Sequence, residues 1–202
     1  MGSTTTTTQM FKYGTSYNPA TDKVLLWSEM SMEFSKRSRE VALEITRAIS
    51  ESLGLEPNYI HDAMNMDRGL QMLVANYYTQ WRICVKGRNE MNGLQVEHNG
   101  KWLTVDGPTN CFFVNLADQM QILTNGKYKS VMHRATLNNK ATRISFAIPH
   151  GPSVDTIIAP APELMEKEGE APKYLAMNYK EYIQLQRSAK IYMKCTFDHI
   201  RA

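Results

Sequence analysis

His133 stands in the segment YKSVMHRAT, and Arg143 and Ser145 follow ten and twelve residues later in RISFA. An imidazole can ligate a metal ion or carry a proton. Side chains alternate between the faces of a strand. Val131, His133 and Ala135 therefore share one face, and Ser130, Met132 and Arg134 the other. The same alternation puts Arg143 and Ser145 together. A guanidinium and a hydroxyl so placed can hold one carboxylate, the guanidinium through two parallel hydrogen bonds and the serine through a third. Spacing alone also permits a plainer reading. A single strand histidine is commonly structural, and Arg-x-Ser is an ordinary pattern on a strand.

The elements that must position these residues are readable from periodicity and turn chemistry. FKYGTSYNPATDKVLLW predicts two short strands around an Asn-Pro turn. SMEFSKRSREVALEITRAISESLG predicts a helix, because Phe34, Val41, Ile45, Ala48, Ile49 and Leu53 recur at helical spacing. Gly54 stands where a left-handed residue ends such a helix. EPNYIHDAMNM predicts a shorter helix with Pro57 in its first turn. From Leu73 onward the pattern turns to β. GLQVEHNGKWLTV predicts a hairpin, because Asn99-Gly100 supplies the positive φ angles of a type I′ turn. Asn125-Gly126 predicts a second one within QMQILTNGKYKSVMHRA. CFFVNL and RISFAI read as buried strands, IIAPAPELMEKEGEAPKYL as an extended loop, and NYKEYIQLQRSAKIYM as a C-terminal helix. Short strands joined by tight turns point to a β-sandwich or barrel, and the outer helices make the class α+β. No internal repeat is present.

Bulk properties exclude several functions. The chain has 202 residues, 43% hydrophobic and 21% charged, as expected of a soluble domain with a real core. Its 23 basic and 20 acidic residues are spread along the chain, leaving a net charge of +3 and no clustered basic face for nucleic acid. Cys84, Cys111 and Cys195 are widely spaced and form no Cys-x-x-Cys pair, so reduced thiols in the cytoplasm are expected. MGSTTTTTQM reads as a disordered leader without a secretory signal, although Met1-Gly2 with Thr6 fits the loose myristoylation pattern. No run of 18 apolar residues is present, so no membrane span is expected. His61, adjacent to Asp62, reads as part of a solvated helix face. His98 falls in the hairpin turn, His150 in a solvated loop after a strand, and His199 in the tail.

NGLQVEHNGKWLTV, FFVNLADQMQILTNGKYKSVMHRA and ATRISFAIPHGPS resemble the C-terminal half of plant iron(II)/2-oxoglutarate-dependent dioxygenases, most closely the soluble flavonoid- and defence-related branch. NYKEYIQLQ resembles the tail that follows it, and the region upstream of Leu73 resembles pieces of the family's N-terminal part. The resemblance implies a double-stranded β-helix, or jelly roll. It also implies Fe(II) on two histidines and one carboxylate, with 2-oxoglutarate and O2 in the open positions. Such enzymes convert 2-oxoglutarate to succinate and CO2 while hydroxylating or desaturating a small substrate, here of an aromatic or phenolic kind. Carried over residue by residue, His133 matches the distal iron ligand. Arg143 and Ser145 match the pair that grips the far carboxylate of 2-oxoglutarate. Tyr78 in VANYYT matches a tyrosine that contacts the same co-substrate, and Asn76 belongs to that motif.

The resemblance also exposes a loss. In the family, the NYY motif runs on to a His-x-Asp that carries the other two iron ligands. Here only TQWRICVKGRNEM separates Tyr78 from NGLQV, and the whole chain contains no His-x-Asp or His-x-Glu. Glu90, Glu97 and Asp118 are the nearest substitute carboxylates. A second seam joins VLLW directly to SEMSMEF, and the family's long N-terminal stretch is absent. The expected organisation is therefore a leader over 1–9, a remnant N-terminal region over 10–72, and an incomplete jelly roll with flanking helices over 73–202. WRICV is the right length to refill the slot of a lost strand. An enzyme lacking two of its three iron ligands is expected to be inactive or impaired. The alternative is a non-catalytic module that binds 2-oxoglutarate or pairs with an intact paralogue.

Overall fold

The computed structural model describes residues 8–11, 22–78, 93–108, 110–136, 143–188 and 200–201. The chain begins with β1 (Thr8–Phe11), followed by the long helix α1 (Asp22–Ser52) and the short α2 (Tyr59–Ala63). Then come β2 (Leu73–Tyr78), β3 (Leu94–His98), β4 (Lys101–Thr104), α3 (Asp118–Leu123), β5 (His133–Ala135) and β6 (Arg143–Ala147). β7 (Ile157–Ile158), α4 (Pro162–Glu168), β8 (Met177–Asn178) and α5 (Tyr179–Ser188) complete the order. Two antiparallel three-stranded sheets result, β1-β2-β6 and β4-β3-β5, with β7 and β8 forming a small third sheet. Among the described residues no helix is long and apolar enough to cross a membrane.

α1 turns Leu43, Ile45 and Ile49 toward the core, joined by Leu53 just past its end, while Phe34, Val41 and Ala48 stay exposed. It starts earlier than the periodicity suggested, so VLLW is helical rather than a strand. The expected Asn-Pro turn lies largely outside the described residues. Gly54, at φ +70°, ends the helix, and its N–H donates to the Glu51 carbonyl at 2.9 Å. Pro57 stands just ahead of α2, whose N-cap is Asn58, rather than inside its first turn. Asn99 and Gly100 have φ of +50° and +73°, and the type I′ turn they build sets β3 against β4.

Several expectations fail for identifiable reasons. Asn125 and Gly126 also have positive φ, but they close a helix. The Gly126 N–H donates to the Gln121 carbonyl at 2.8 Å, and QMQIL is α3. An Asn-Gly pair serves a helix C-terminus as readily as a hairpin. CFFVNL forms no strand and is exposed over its first five residues, since an extended run needs a neighbour for its backbone groups and none of the described strands pairs with it. β6 is a strand as expected, yet Ile144 and Phe146 are 59% and 50% exposed, so its apolar face is not buried. The Pro-rich segment contains β7 and α4. Pro162 opens that helix and Gly169, at φ +63°, closes it. Thr8 and Gln9, placed in the leader by composition, belong to β1, and the rest of the leader lies outside the described residues. So do WRICV, Cys84, Glu90, Cys195 and His199.

The core lies away from the large sheets. Ile60, Ile122, Ile158, Leu164 and Ile200 are fully enclosed, with Ile49, Leu53, Met64, Met66, Met120, Leu123, Tyr174 and Tyr182 around them. These side chains come from the C-terminal end of α1, the α2 region, α3, β7, α4 and α5, with Tyr174 from the loop before β8 and Ile200 from beyond α5. Among the residues whose burial is described, none of the buried apolar side chains belongs to strands β2 to β6. The helical flank is packed, whereas the described strand residues of β2 to β6 are half-buried or exposed.

Candidate functional site

The antiparallel pairing of β2 with β6 places Asn76 opposite Ser145 and Tyr78 opposite Arg143. Directly opposed residues in an antiparallel pair share a face, and residues two apart along a strand share it too. Four positions that sequence marked for one carboxylate ligand thus form a square on one face of two adjacent strands. Arg143 and Ser145 are half-buried, whereas Ile144 and Phe146 between and after them face outward. Asn76 is half-buried as well. A cation at Arg143 beside the neutral hydrogen-bonding groups of Ser145 and Asn76 is a chemistry that suits a carboxylate.

His133 lies in the other sheet. It opens β5, opposite Val96 of β3, and is exposed, with Nδ1 3.3 Å from the Val131 carbonyl oxygen. The segment leading to it is held firmly. The Ser130 N–H donates to Gln121 Oε1 at 2.7 Å, Gln121 Nε2 donates to the Tyr174 hydroxyl at 2.7 Å, and the Glu97 N–H donates to the Met132 carbonyl at 2.8 Å. The two sheets come together at Gly93, whose carbonyl accepts the Thr136 N–H at 2.7 Å and whose Cα lies against the Arg143 guanidinium.

A facial iron site needs two further protein ligands beside one histidine. Among the described residues, no group of three His, Cys, Asp or Glu side chains is close enough to hold a metal ion. Glu97 pairs with Trp102 and so occupies the face opposite His133. Asp118 accepts a hydrogen bond from the Tyr182 hydroxyl, which also accepts one from Gln186 Nε2 at 2.9 Å. Burial and that carboxylate push the Tyr182 phenol well above its ordinary pKa. Asp118 is thereby committed to packing α5 against α3. The described residues do not fit an Fe(II) facial triad.

The remaining histidines stand apart from this chemistry. His61 pairs with Asp62 at 2.9 Å and Asp67 at 3.3 Å on a partly exposed helix face. His98 is exposed in the hairpin, 3.2 Å from the Asn99 amide. His150 departs from expectation. It is half-buried, forms a lone bridge with Gln71, and burial together with the Arg39 charge lowers its pKa. It is therefore not a solvated loop residue. On the outer face of β4-β3-β5, Arg134 lies 4.0 Å over the Trp102 ring and donates from Nε to Gln95 Oε1 at 2.9 Å. The types and spacing of polar residues gave no hint of Gly93. The signal available was a glycine at the head of a strand, which often marks a close approach to the backbone.

Residues 83–152 match the family model described as the 2OG-Fe(II) oxygenase superfamily. The 2-oxoglutarate-dependent dioxygenase 19 of Oryza sativa subsp. japonica is 34% identical over 190 positions, which cover 86% of this chain and 56% of that protein. The flavonol synthase/flavanone 3-hydroxylase of Petunia hybrida is 34% identical over 173 positions, covering 77% and 49%. The crystal structure of JOX2 in complex with 2OG, Fe and JA superposes with a TM-score of 0.77 at 27% identity, over 86% of this chain and 56% of that one. The chain spans about half the length of the curated relatives it matches. In the rice alignment, 86% of 202 residues is fewer than 190 positions, so that relative carries internal residues this chain lacks. The structural neighbours are jelly rolls, and the two antiparallel sheets with flanking helices are the α+β counterpart here.

Proposed function

The chain belongs to the 2OG-Fe(II) oxygenase superfamily, and from that premise we propose that it is a 2-oxoglutarate-binding member with impaired or absent oxygenase activity. Fe(II) and 2-oxoglutarate are the cofactor and co-substrate of this family. Its intact members consume 2-oxoglutarate to oxidise small molecules. In this chain the carboxylate-gripping half of the site is retained. Arg143 receives the distal carboxylate through its guanidinium fork, Ser145 adds a hydroxyl donor, and Asn76 and Tyr78 border the same patch. The iron half is reduced to His133, which alone supplies one of three protein ligands.

The observation that supports this reading best is the register of β2 on β6, Asn76 to Ser145 and Tyr78 to Arg143. Where an intact relative has a substrate, a small aromatic or phenolic metabolite is the proposed class, by likeness to the flavanone-oxidising relative. A second reading, a non-catalytic partner of an intact paralogue, is supported by the exposed Phe112, Phe113, Ile144 and Phe146, which leave apolar surface uncovered. Co-purification with such a paralogue would support it, and separate elution would remove it.

The test of the first reading is calorimetric titration of 2-oxoglutarate into the purified chain without added metal. Two charge-assisted hydrogen bonds are worth about 1.5–3 kcal/mol each, so Arg143→Ala should weaken binding by roughly 100-fold or more. Ser145→Ala should weaken it by about tenfold. Wild-type affinity retained in Arg143→Ala would overturn the proposal.

A further inference from the structure

We propose that Gly93 is a positioning residue for Arg143: its bare Cα is the wall that fixes the guanidinium where a carboxylate is gripped. This rests on the reading that Arg143 binds 2-oxoglutarate. Gly93 is buried and immediately precedes β3. A Cβ built on it would lie 2.6 Å from both Cζ and Nε of Arg143 and 2.9 Å from Nη2. Optimal contacts between such atoms are about 3.5–4.0 Å. Three bonded guanidinium atoms at nearly equal distance mean that the group lies broadside across the glycine, not end-on. A methyl there must push it by about 1 Å.

The glycine cannot easily retreat instead. Its carbonyl accepts the Thr136 N–H at 2.7 Å, and the next carbonyl, that of Leu94, accepts the Val105 N–H at 2.9 Å. These bonds anchor Gly93 to the end of the His133 strand and to the end of the hairpin. The same residue therefore joins the sheet that carries His133 to the side chain that projects from the other sheet. Gly93 does not have a positive φ, so alanine is compatible with the backbone and its effect is confined to the contact. A bidentate grip depends on the direction of both N–H groups, and a shift of about 1 Å breaks at least one of them.

The experiment is titration of 2-oxoglutarate into wild type, Gly93→Ala, Arg143→Lys and the double variant, followed by NMR without metal. Thermal midpoints confirm folding. Gly93→Ala should bind about tenfold more weakly. In the Arg143→Lys background the same substitution should change affinity by no more than about twofold, because lysine has no planar fork for the methyl to displace. Unchanged affinity in Gly93→Ala, or an equal loss in both backgrounds, would overturn the positioning role while leaving 2-oxoglutarate binding by Arg143 intact. Absence of binding by the wild type would overturn both. Should Gly93→Ala fail to fold, the wild type decides. A nuclear Overhauser effect between the Gly93 Hα and the Arg143 Nε–H in the loaded protein is expected, and its absence would overturn the proposal.

Discussion

The separation of core from sheets predicts a sharp contrast between two truncations. Ile60 on α2 is 0% exposed, at the centre of the helical flank, whereas Phe113, in the segment before α3, is 51% exposed. Ile60→Ala removes the side chain beyond Cβ, at about 0.8 kcal/mol for each buried methylene, and leaves a cavity in a packed region. The sum is about 3–4 kcal/mol, a large share of the roughly 5–15 kcal/mol that holds a domain together. For a chain of this length it lowers the thermal midpoint by roughly 10 °C. Phe113→Ala removes more atoms but loses little burial, and should cost less than about 1 kcal/mol. Urea unfolding followed by far-UV circular dichroism measures both, compared at constant slope. Equal costs for the two variants would mean that Phe113 is covered in solution, contradicting its exposure.

Two further predictions concern ionisation and turn geometry. Burial first, and hydrogen bonds to Glu163 and Asp118 second, raise the pKa of Tyr59 and Tyr182, so the folded chain keeps phenol protons that the unfolded chain releases near pH 10. Stability should then be intact below about pH 10 and fall as pH rises above it, and Tyr182→Phe should flatten that fall in urea unfolding at pH 9 to 11. Gly100 has φ +73° with open space where a Cβ would stand, so Gly100→Ala should cost only the backbone term, about 1 kcal/mol by the same unfolding assay.

How much of this was legible in the sequence depended on how local each signal is. The Asn99-Gly100 hairpin and the Gly54 helix end were readable because both rest on φ angles that a few residue types dominate. Arg143 and Ser145 could be placed on one face because strand alternation needs no partner. Their alignment with Tyr78 and Asn76 could not be derived from alternation, since register joins segments far apart in the chain. QMQILTNG was misread because a short apolar run fits a strand or a buried helix equally, and Asn-Gly closes either. CFFVNL was misread because apolar character predicts burial only where a neighbouring element supplies cover. Gly93 was invisible to a search for reactive side chains, because its contribution is the side chain it lacks.

Anaerobic titration with Fe(II), with and without 2-oxoglutarate, of wild type, His133→Ala and Arg143→Ala addresses the central claim directly. A retained carboxylate grip without a facial triad predicts 2-oxoglutarate binding that needs no iron and disappears in Arg143→Ala, together with iron binding too weak to distinguish wild type from His133→Ala. Tight iron binding abolished by His133→Ala would contradict it and would mean that further ligands complete the metal site.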